Sequence, residues 1–294
     1  MFADACAKAA EYSRPVVIST RHQDRSVSTE CGTFIVLNDE GWIMTAGHMF
    51  DSYLKYQADL KKVEEIRQLN DARSSRPGSP KGEIKVDSSL IINHSFWWGW
   101  DGVRLKNEII LVRDLDLAVA RLEPFDPGWV REYPVLCGPD RPRPGTSVCR
   151  SGYPFMNVMS TWDEENRRFH IPPLPRTEMI FPNEGMHTRN VMQGKTNDGN
   201  YDKLYVETST PGLRGQSGGP IYDRDGHIYA MQVQTRHMPL GFHPTVEYDG
   251  RTVVENQFLN VGLGIHVRVI RQILDEHHIR YRSESDSEEF RIVG

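Results

Sequence analysis

Apolar and β-branched residues fall, for most of the chain, into short runs separated by turn residues. The runs at 14–20 (RPVVIST), 31–38 (CGTFIVLN), 41–47 (GWIMTAG), 108–113 (EIILVR) and 115–122 (LDLAVARL) predict strands, being rich in Val, Ile, Thr and aromatics. The same pattern continues at 146–154 (TSVCRSGYP), 203–209 (KLYVETS), 219–223 (GPIYD), 227–235 (HIYAMQVQT) and 261–267 (VGLGIHV). Turn signals such as Asn38-Asp39-Glu40-Gly41 and Asp223-Arg224-Asp225-Gly226 separate neighbouring runs, as in hairpins. Many regularly spaced strands with few helices predict an all-β sandwich or barrel.

Two stretches change period. Residues 51–72 carry Tyr56, Leu60, Val63, Ile66 and Leu69 at helical spacing, which predicts a helix whose apolar stripe packs on a neighbour or docks a partner. A Ser/Pro/Gly stretch at 74–82 ends it. Residues 266–278 gather Val269, Ile270, Ile273 and Leu274 on one face, a second helix. The segment HSFWWGW (94–100) is either barrel core or an exposed aromatic patch. The stretch 283–290 is acidic and almost without apolar residues, so it reads as a solvated tail.

Composition narrows the function classes. The 294 residues suffice for one large domain or two small ones, and with 38% hydrophobic residues, 26% charged residues and a mean hydropathy of −0.54 they predict a globular protein. A net charge of −5 and a pI near 6.1 leave no basic footprint for nucleic acid. No apolar run approaches a membrane span, and no basic segment followed by an apolar stretch opens the chain, so a cytoplasmic protein is expected. Cys6, Cys31, Cys137 and Cys149 form no C-x-x-C pair and are expected as reduced thiols. His277 and His278 are adjacent and point apart on a helix, so they make a poor chelating pair; no metal and no cofactor are expected.

The run LRGQSGGP (213–220) sets Ser217 among residues with almost no side-chain bulk, as backbone needs where it must approach something closely or turn with positive φ. A tight turn alone would give the same composition. A serine nucleophile also requires a base and an orienting carboxylate. His48 follows the small-residue turn Thr45-Ala46-Gly47 at the end of a predicted strand, and Asp116 heads the run LAVARL. Asp114 lies two residues earlier on the same predicted face, and alternation alone does not separate the two acids.

Three motifs in this order, TAGH (45–48), DLAV (116–119) and GQSGGP (215–220), resemble those of the trypsin/chymotrypsin-fold serine peptidases. The resemblance spans about Val16 to Ile273, and its register selects Asp116 over Asp114. It implies an all-β fold of two packed six-stranded antiparallel barrels. The first would take in residues 1–135 with His48, Asp116 and a helical insertion at about 51–72. The second would span 136–282 with Ser217 and a closing helix at 266–278, leaving 283–294 as a flexible tail. It further implies a catalytic triad of His48, Asp116 and Ser217, with the backbone N–H groups of Gly215 and Ser217 as an oxyanion hole. Met49 stands where animal members have a cysteine, and SGYP (151–154) is similar to bacterial members. Those features, with the style of the nucleophile loop, favour the bacterial branch of glutamyl endopeptidases and high-temperature-requirement proteases.

Specificity is less legible. Basic-specific relatives carry an acid six residues before the serine, where this chain has Pro211; Glu-specific relatives carry a histidine where this chain has Met231 or Gln232. Pro211, Arg214, Gln216, Gln232 and Gln234 are the expected substrate-binding residues, with a leaning towards small or apolar side chains before the scissile bond. The expected function is an intracellular serine endopeptidase that acts on protein or peptide substrates under the control of a regulatory partner, with neither nucleic acid nor membrane as partner. The alternative is a catalytically silent trypsin-fold module that binds a protein. RIVG (291–294) echoes an activation sequence but lies downstream of all three triad candidates, and Gln216 offers no carboxylate to a freed amine.

Overall fold

Alternating and continuous apolar runs become strands wherever both faces, or one, can be covered. The computed structural model describes residues 1–74, 83–154, 156–174, 180–254 and 258–284; the 75–82 part of the Ser/Pro/Gly stretch and residues 285–294, including RIVG, lie outside them. The chain opens with a helix that the strand-dominated pattern did not signal, α1 (Ala3–Tyr12), which buries Ala5, Ala9 and Tyr12. Strands β1 (Ser13–His22), β2 (Val27–Val36) and β3 (Trp42–Ala46) follow, then α2 (Asp51–Ser74), β4 (Ile91–Trp97), β5 (Arg104–Val112) and β6 (Leu117–Glu123). These six strands form one antiparallel sheet in the order β4-β1-β2-β3-β6-β5. Val16, Ile18, Phe34 and Ile43 pack on one face of it and Leu117 and Val119 on the other, all within the hydrophobic core.

The second half contains β7 (Val135–Leu136), β8 (Ser147–Arg150), β9 (Thr161–Asp163), β10 (Arg168–His170), β11 (Asn183–Lys195), β12 (Asp202–Thr208) and β13 (Pro220–Tyr222). It continues with β14 (His227–Pro239), β15 (Thr245–Tyr248), β16 (Arg251–Val254), β17 (Phe258–His266), α3 (Val267–Glu276) and β18 (Arg282–Ser283). The order β13-β8-β11-β12-β17-β14 closes on itself because β13 also pairs with β14, giving a six-stranded barrel. The fold is therefore mostly β in the trypsin-like double-barrel manner. The two halves differ in one respect: strand pairing closes the C-terminal barrel, whereas β4 and β5 end the N-terminal sheet without pairing to each other among the described residues. Helix α3 seats Val269, Ile270, Ile273 and Leu274 against the barrel, as its apolar face predicts.

Two expectations are sharpened. The stripe on α2 does not pack as a stripe: Leu60 and Leu69 are 40% and 54% exposed, and the helix's one buried residue is Asp59. Asp59 Oδ2 accepts the Ile91 backbone N–H at 3.0 Å, and Tyr53 and Tyr56 pack on His94, so the first turns of α2 anchor it to β4. The aromatic segment resolves as core: Trp98 and Trp100 are buried against Phe34, while Trp97 Nε1 donates to Asp101 at 3.0 Å.

The halves are fastened to each other at several points. The Tyr153 hydroxyl donates to Ser13 O at 2.9 Å, and Asn38 Nδ2 donates to Arg280 O at 2.8 Å. Arg280 returns to pair with Asp39 and Glu40 at 2.7 and 2.8 Å. Thr33 on β2 is the pin nearest the Ser217 loop, with Oγ1 donating to Gly215 O at 2.7 Å and its N–H donating to Ser217 O at 2.9 Å.

Candidate active site

His48 sits in a 3₁₀ turn, Gly47–Phe50, that ends β3. Asp116 follows a second 3₁₀ turn, Arg113–Leu115, and adopts the left-handed conformation with φ 59° and ψ 42°. An aspartate tolerates that conformation better than most residues. The conformation brings two hydrogen bonds to His48: Oδ1 accepts the His48 backbone N–H at 2.6 Å, and Oδ2 faces Nδ1 at 2.7 Å. The Gly47 N–H donates to Asp116 O at 2.8 Å, and a Cβ at Gly47 would come within 3.2 Å of Asp116 Oδ1. With Nδ1 donating to the carboxylate, Nε2 is left as the basic nitrogen. Burial works to lower the His48 pKa, but the hydrogen bond and charge of Asp116, backed by Asp51 and Glu30, hold it above the usual value.

Asp114 is not on a strand face shared with Asp116, because the 3₁₀ turn breaks the alternation there. Its carboxylate is directed away from His48 and pins the turn at Asn197, accepting the backbone N–H at 2.5 Å and Nδ2 at 2.8 Å.

The glycines of the Ser217 loop each meet a close neighbour. A Cβ at Gly215 (φ 98°) would lie 2.3 Å from Tyr153 O, and one at Gly218 (φ 85°) would lie 2.1 Å from Thr33 O and 3.0 Å from Ala46 N. Gly218 thus seats the loop against the strand that leads to His48. The N–H of Gln216 turns inward to Leu213 O at 2.9 Å, and that of Gly218 to Gln232 O at 2.8 Å. The N–H groups of Gly215 and Ser217 have no acceptor among the described residues. Nor does a hydrogen bond join the half-buried Ser217 side chain to His48 there.

The five expected substrate-binding residues separate. Pro211 offers its carbonyl to Arg150 Nη1 at 2.6 Å and to Asn183 Nδ2 at 3.2 Å. Arg214 is 89% exposed, with Glu30 at 3.9 Å, and Gln234 is exposed. Gln216 is fully buried, its Oε1 accepting from Leu213 N and its Nε2 donating to Phe181 O, so its side chain braces the loop and does not face the cleft. Gln232 is buried beside Gly212, with Nε2 on Gln234 O at 2.8 Å.

Sequence reasoning passed over two flanking depressions. One, of about 550 Å³, is lined by Glu30, Cys31, Tyr153, Val158, Leu213 and Gly215. The other, of about 530 Å³, is lined by Glu30, His48, Asp51, Ser52 and Lys55. Glu30 borders both; the first adjoins Leu213 and Gly215 of the loop and the second adjoins the His48 imidazole. No local motif marks these residues, because they converge only through the fold. Elsewhere, Asp223, Asp225 and His227 lie close enough to share an ion, but Arg141 already pairs with the two carboxylates at 3.2 and 3.5 Å. All four cysteines are free thiols, and among the described residues no helix is long and apolar enough to cross a membrane.

Solved structures with similar chain paths include the active form of the Rv3671c protease of M. tuberculosis, at 12% identity and a TM-score of 0.48, covering 100% of this chain and 87% of that one. Another is the HtrA-type protease AlgW with a tripeptide, at 13% identity and a TM-score of 0.47, covering 95% of this chain and 64% of that one. No curated protein matches the sequence. The model of the trypsin-like peptidase domain matches residues 32–231, a stretch that holds His48, Asp116 and Ser217 and more than half of the chain. The chain belongs to the trypsin-like peptidase family, hydrolases of peptide bonds.

Proposed function

We propose that the protein is a serine endopeptidase that works through an acyl-enzyme on Ser217, with His48 as general base and Asp116 as its orienting carboxylate. The observation that carries this reading is the pair of hydrogen bonds that fixes His48 on Asp116, at 2.6 and 2.7 Å, in the turn just after a strand against which the Ser217 loop is seated. His48 Nε2 takes the Ser217 Oγ proton as Oγ attacks the scissile carbonyl. Asp116 stabilises the imidazolium that forms and remains ionised. The carbonyl oxygen, now negative, is received by the N–H groups of Gly215 and Ser217, which have no other described partner to give up. His48 then protonates the leaving amine, and a water activated by the same imidazole hydrolyses the ester.

Ser217 and His48 are not hydrogen-bonded at rest, a looseness common before substrate binds. It supports regulation by a partner or substrate that orders the 208–216 loop, a shift of populations in place of covalent maturation. Four free thiols suit a reducing, intracellular setting. The test is pre-steady-state hydrolysis of a chromogenic ester. A burst of one product equivalent per enzyme, absent from Ser217→Ala, is expected. Binding of a protein ligand with no burst would leave the silent module as the correct reading.

A further inference from the structure

Arg150 stands out among the buried side chains. It ends β8, is 1% exposed, and is among the largest fully buried residues of the molecule. No carboxylate pairs with it among the described residues, and only neutral dipoles surround its head. Nη1 donates to Pro211 O at 2.6 Å and to Thr210 O at 3.3 Å. Nη2 donates to Thr208 Oγ1 and to Thr210 O at 3.3 Å, and Nε has no described partner. Burial pulls the guanidinium pKa down to about 10, which still leaves it charged at neutral pH. Burying a cation without a counter-ion is costly, and an apolar side chain of equal size would fill the space without that cost.

The location of this charge is specific. Thr208, Thr210 and Pro211 are the residues by which the chain runs from β12 into the Ser217 loop. Gly262 on β17 faces the guanidinium so closely that a Cβ there would lie 2.3 Å from Nη2. Gln232, whose backbone bonds Gly218 and Gly219, packs its amide on Gly212 and leaves Oε1 buried without a partner. A buried positive charge without a counter-ion and an unpartnered amide oxygen therefore stand behind the segment 208–215. That segment leads directly to the two N–H groups that would hold the scissile carbonyl.

On the reading that Ser217 is the nucleophile, we propose that Arg150 determines specificity, accepting the side-chain carboxylate of an aspartate or glutamate on the acyl side of the scissile bond. The arriving carboxylate takes the place of the Thr210 and Pro211 carbonyls on the guanidinium. It thereby exchanges charge–dipole hydrogen bonds for an ion pair in which donor and acceptor are both charged. The charge that costs stability in the free protein is then neutralised only with substrate in place. This replaces the expectation of small or apolar residues before the cleavage point.

The experiment digests a proteome-derived peptide library with the full chain and reads the new termini by mass spectrometry, with fluorophosphonate labelling of Ser217 followed in the same samples. Wild type is expected to cut after Asp or Glu. Matched peptides differing only as Glu against Gln at that position should differ by about a hundredfold in kcat/KM. Arg150→Met should reduce that ratio at least about tenfold while keeping Ser217 labelled, and Arg150→Lys should retain part of it. A labelled wild type that cuts after apolar or basic residues, treats Glu and Gln alike, or leaves acidic peptides uncut overturns the proposal. So does an Arg150→Met that loses rate equally on every peptide, as a mere loop brace would. Absence of labelling in wild type instead removes the nucleophile assignment beneath it. Because the wild-type profile decides by itself, a variant that fails to fold does not shield the idea.

Discussion

The two halves of the site are prepared to different degrees. In the N-terminal half the imidazole is fixed on Asp116 through both a side-chain and a main-chain hydrogen bond, and the acid is fixed in turn by its own left-handed backbone. In the C-terminal half only the main chain of Ser217 is tied down, through Thr33 N, while its hydroxyl has no bond to His48. The His48–Asp116 pair is thus fixed by local turns, whereas the position of Ser217 depends on how a glycine-rich loop rests on the N-terminal sheet. On the proposed mechanism, orienting the base needs no substrate, and completing the reactive geometry does.

The largest effects should come from removing either side of this junction. Ser217→Ala and His48→Ala are each expected to lower turnover by on the order of a millionfold, and the double variant should be hardly worse, since nucleophile and base act as a unit. Peptide-cleavage rates in which the two losses multiply would break the link between the halves. Next, Asp116→Asn should cost roughly ten-thousandfold in kcat by favouring the wrong imidazole tautomer. Asp114→Asn, which touches only the Asn197 turn, should be mild. The reverse ranking in steady-state kinetics would reassign the acid.

A third change tests the loop's seat. Gly218→Ala puts a Cβ 2.1 Å from Thr33 O at a residue with φ 85°, so it should destabilise the fold by roughly 3 kcal/mol, read by urea unfolding. It should also slow acylation. Unchanged stability would mean that the loop does not rest on β2 as described.

The smallest effect concerns pH. Because the His48 pKa is raised above 6.5, the acid limb of kcat/KM should lie above that pH, and Asp116→Asn should move the residual limb down. The sign for stability is opposite to that of a paired carboxylate. A raised histidine pKa means the folded state binds the proton more tightly, so this contribution is complete below about 6.5 and fades as pH climbs through the folded value. Asp116→Asn should therefore cost more stability at pH 5 than at pH 9, as thermal unfolding at the two pH values will show.

Much of this was legible in the sequence because the triad candidates lie beside short local signals, a small-residue turn before His48 and a glycine run around Ser217. Strands with continuous buried runs, such as β2 and β6, declared themselves by pattern. The polar strand β11 did not, since residues such as Glu184, Thr188 and Gln193 line it and most of its length is exposed. Helix α1 escaped notice because its contacts rest on two alanines and a tyrosine. The choice between Asp114 and Asp116 was beyond alternation because a 3₁₀ turn and a left-handed residue replace the strand there. Arg150 was read only as part of a strand; its charge acquires meaning through Thr208, Thr210 and Pro211, roughly sixty residues away in sequence.

The central claim, one nucleophile activated across the barrel junction, is tested most directly by intact-mass analysis after fluorophosphonate treatment of wild type, Ser217→Ala and His48→Ala. A single adduct on Ser217 of the wild type, none on Ser217→Ala and labelling slowed by orders of magnitude in His48→Ala is the predicted result. An adduct that survives in Ser217→Ala, or equal labelling rates with and without His48, would contradict it.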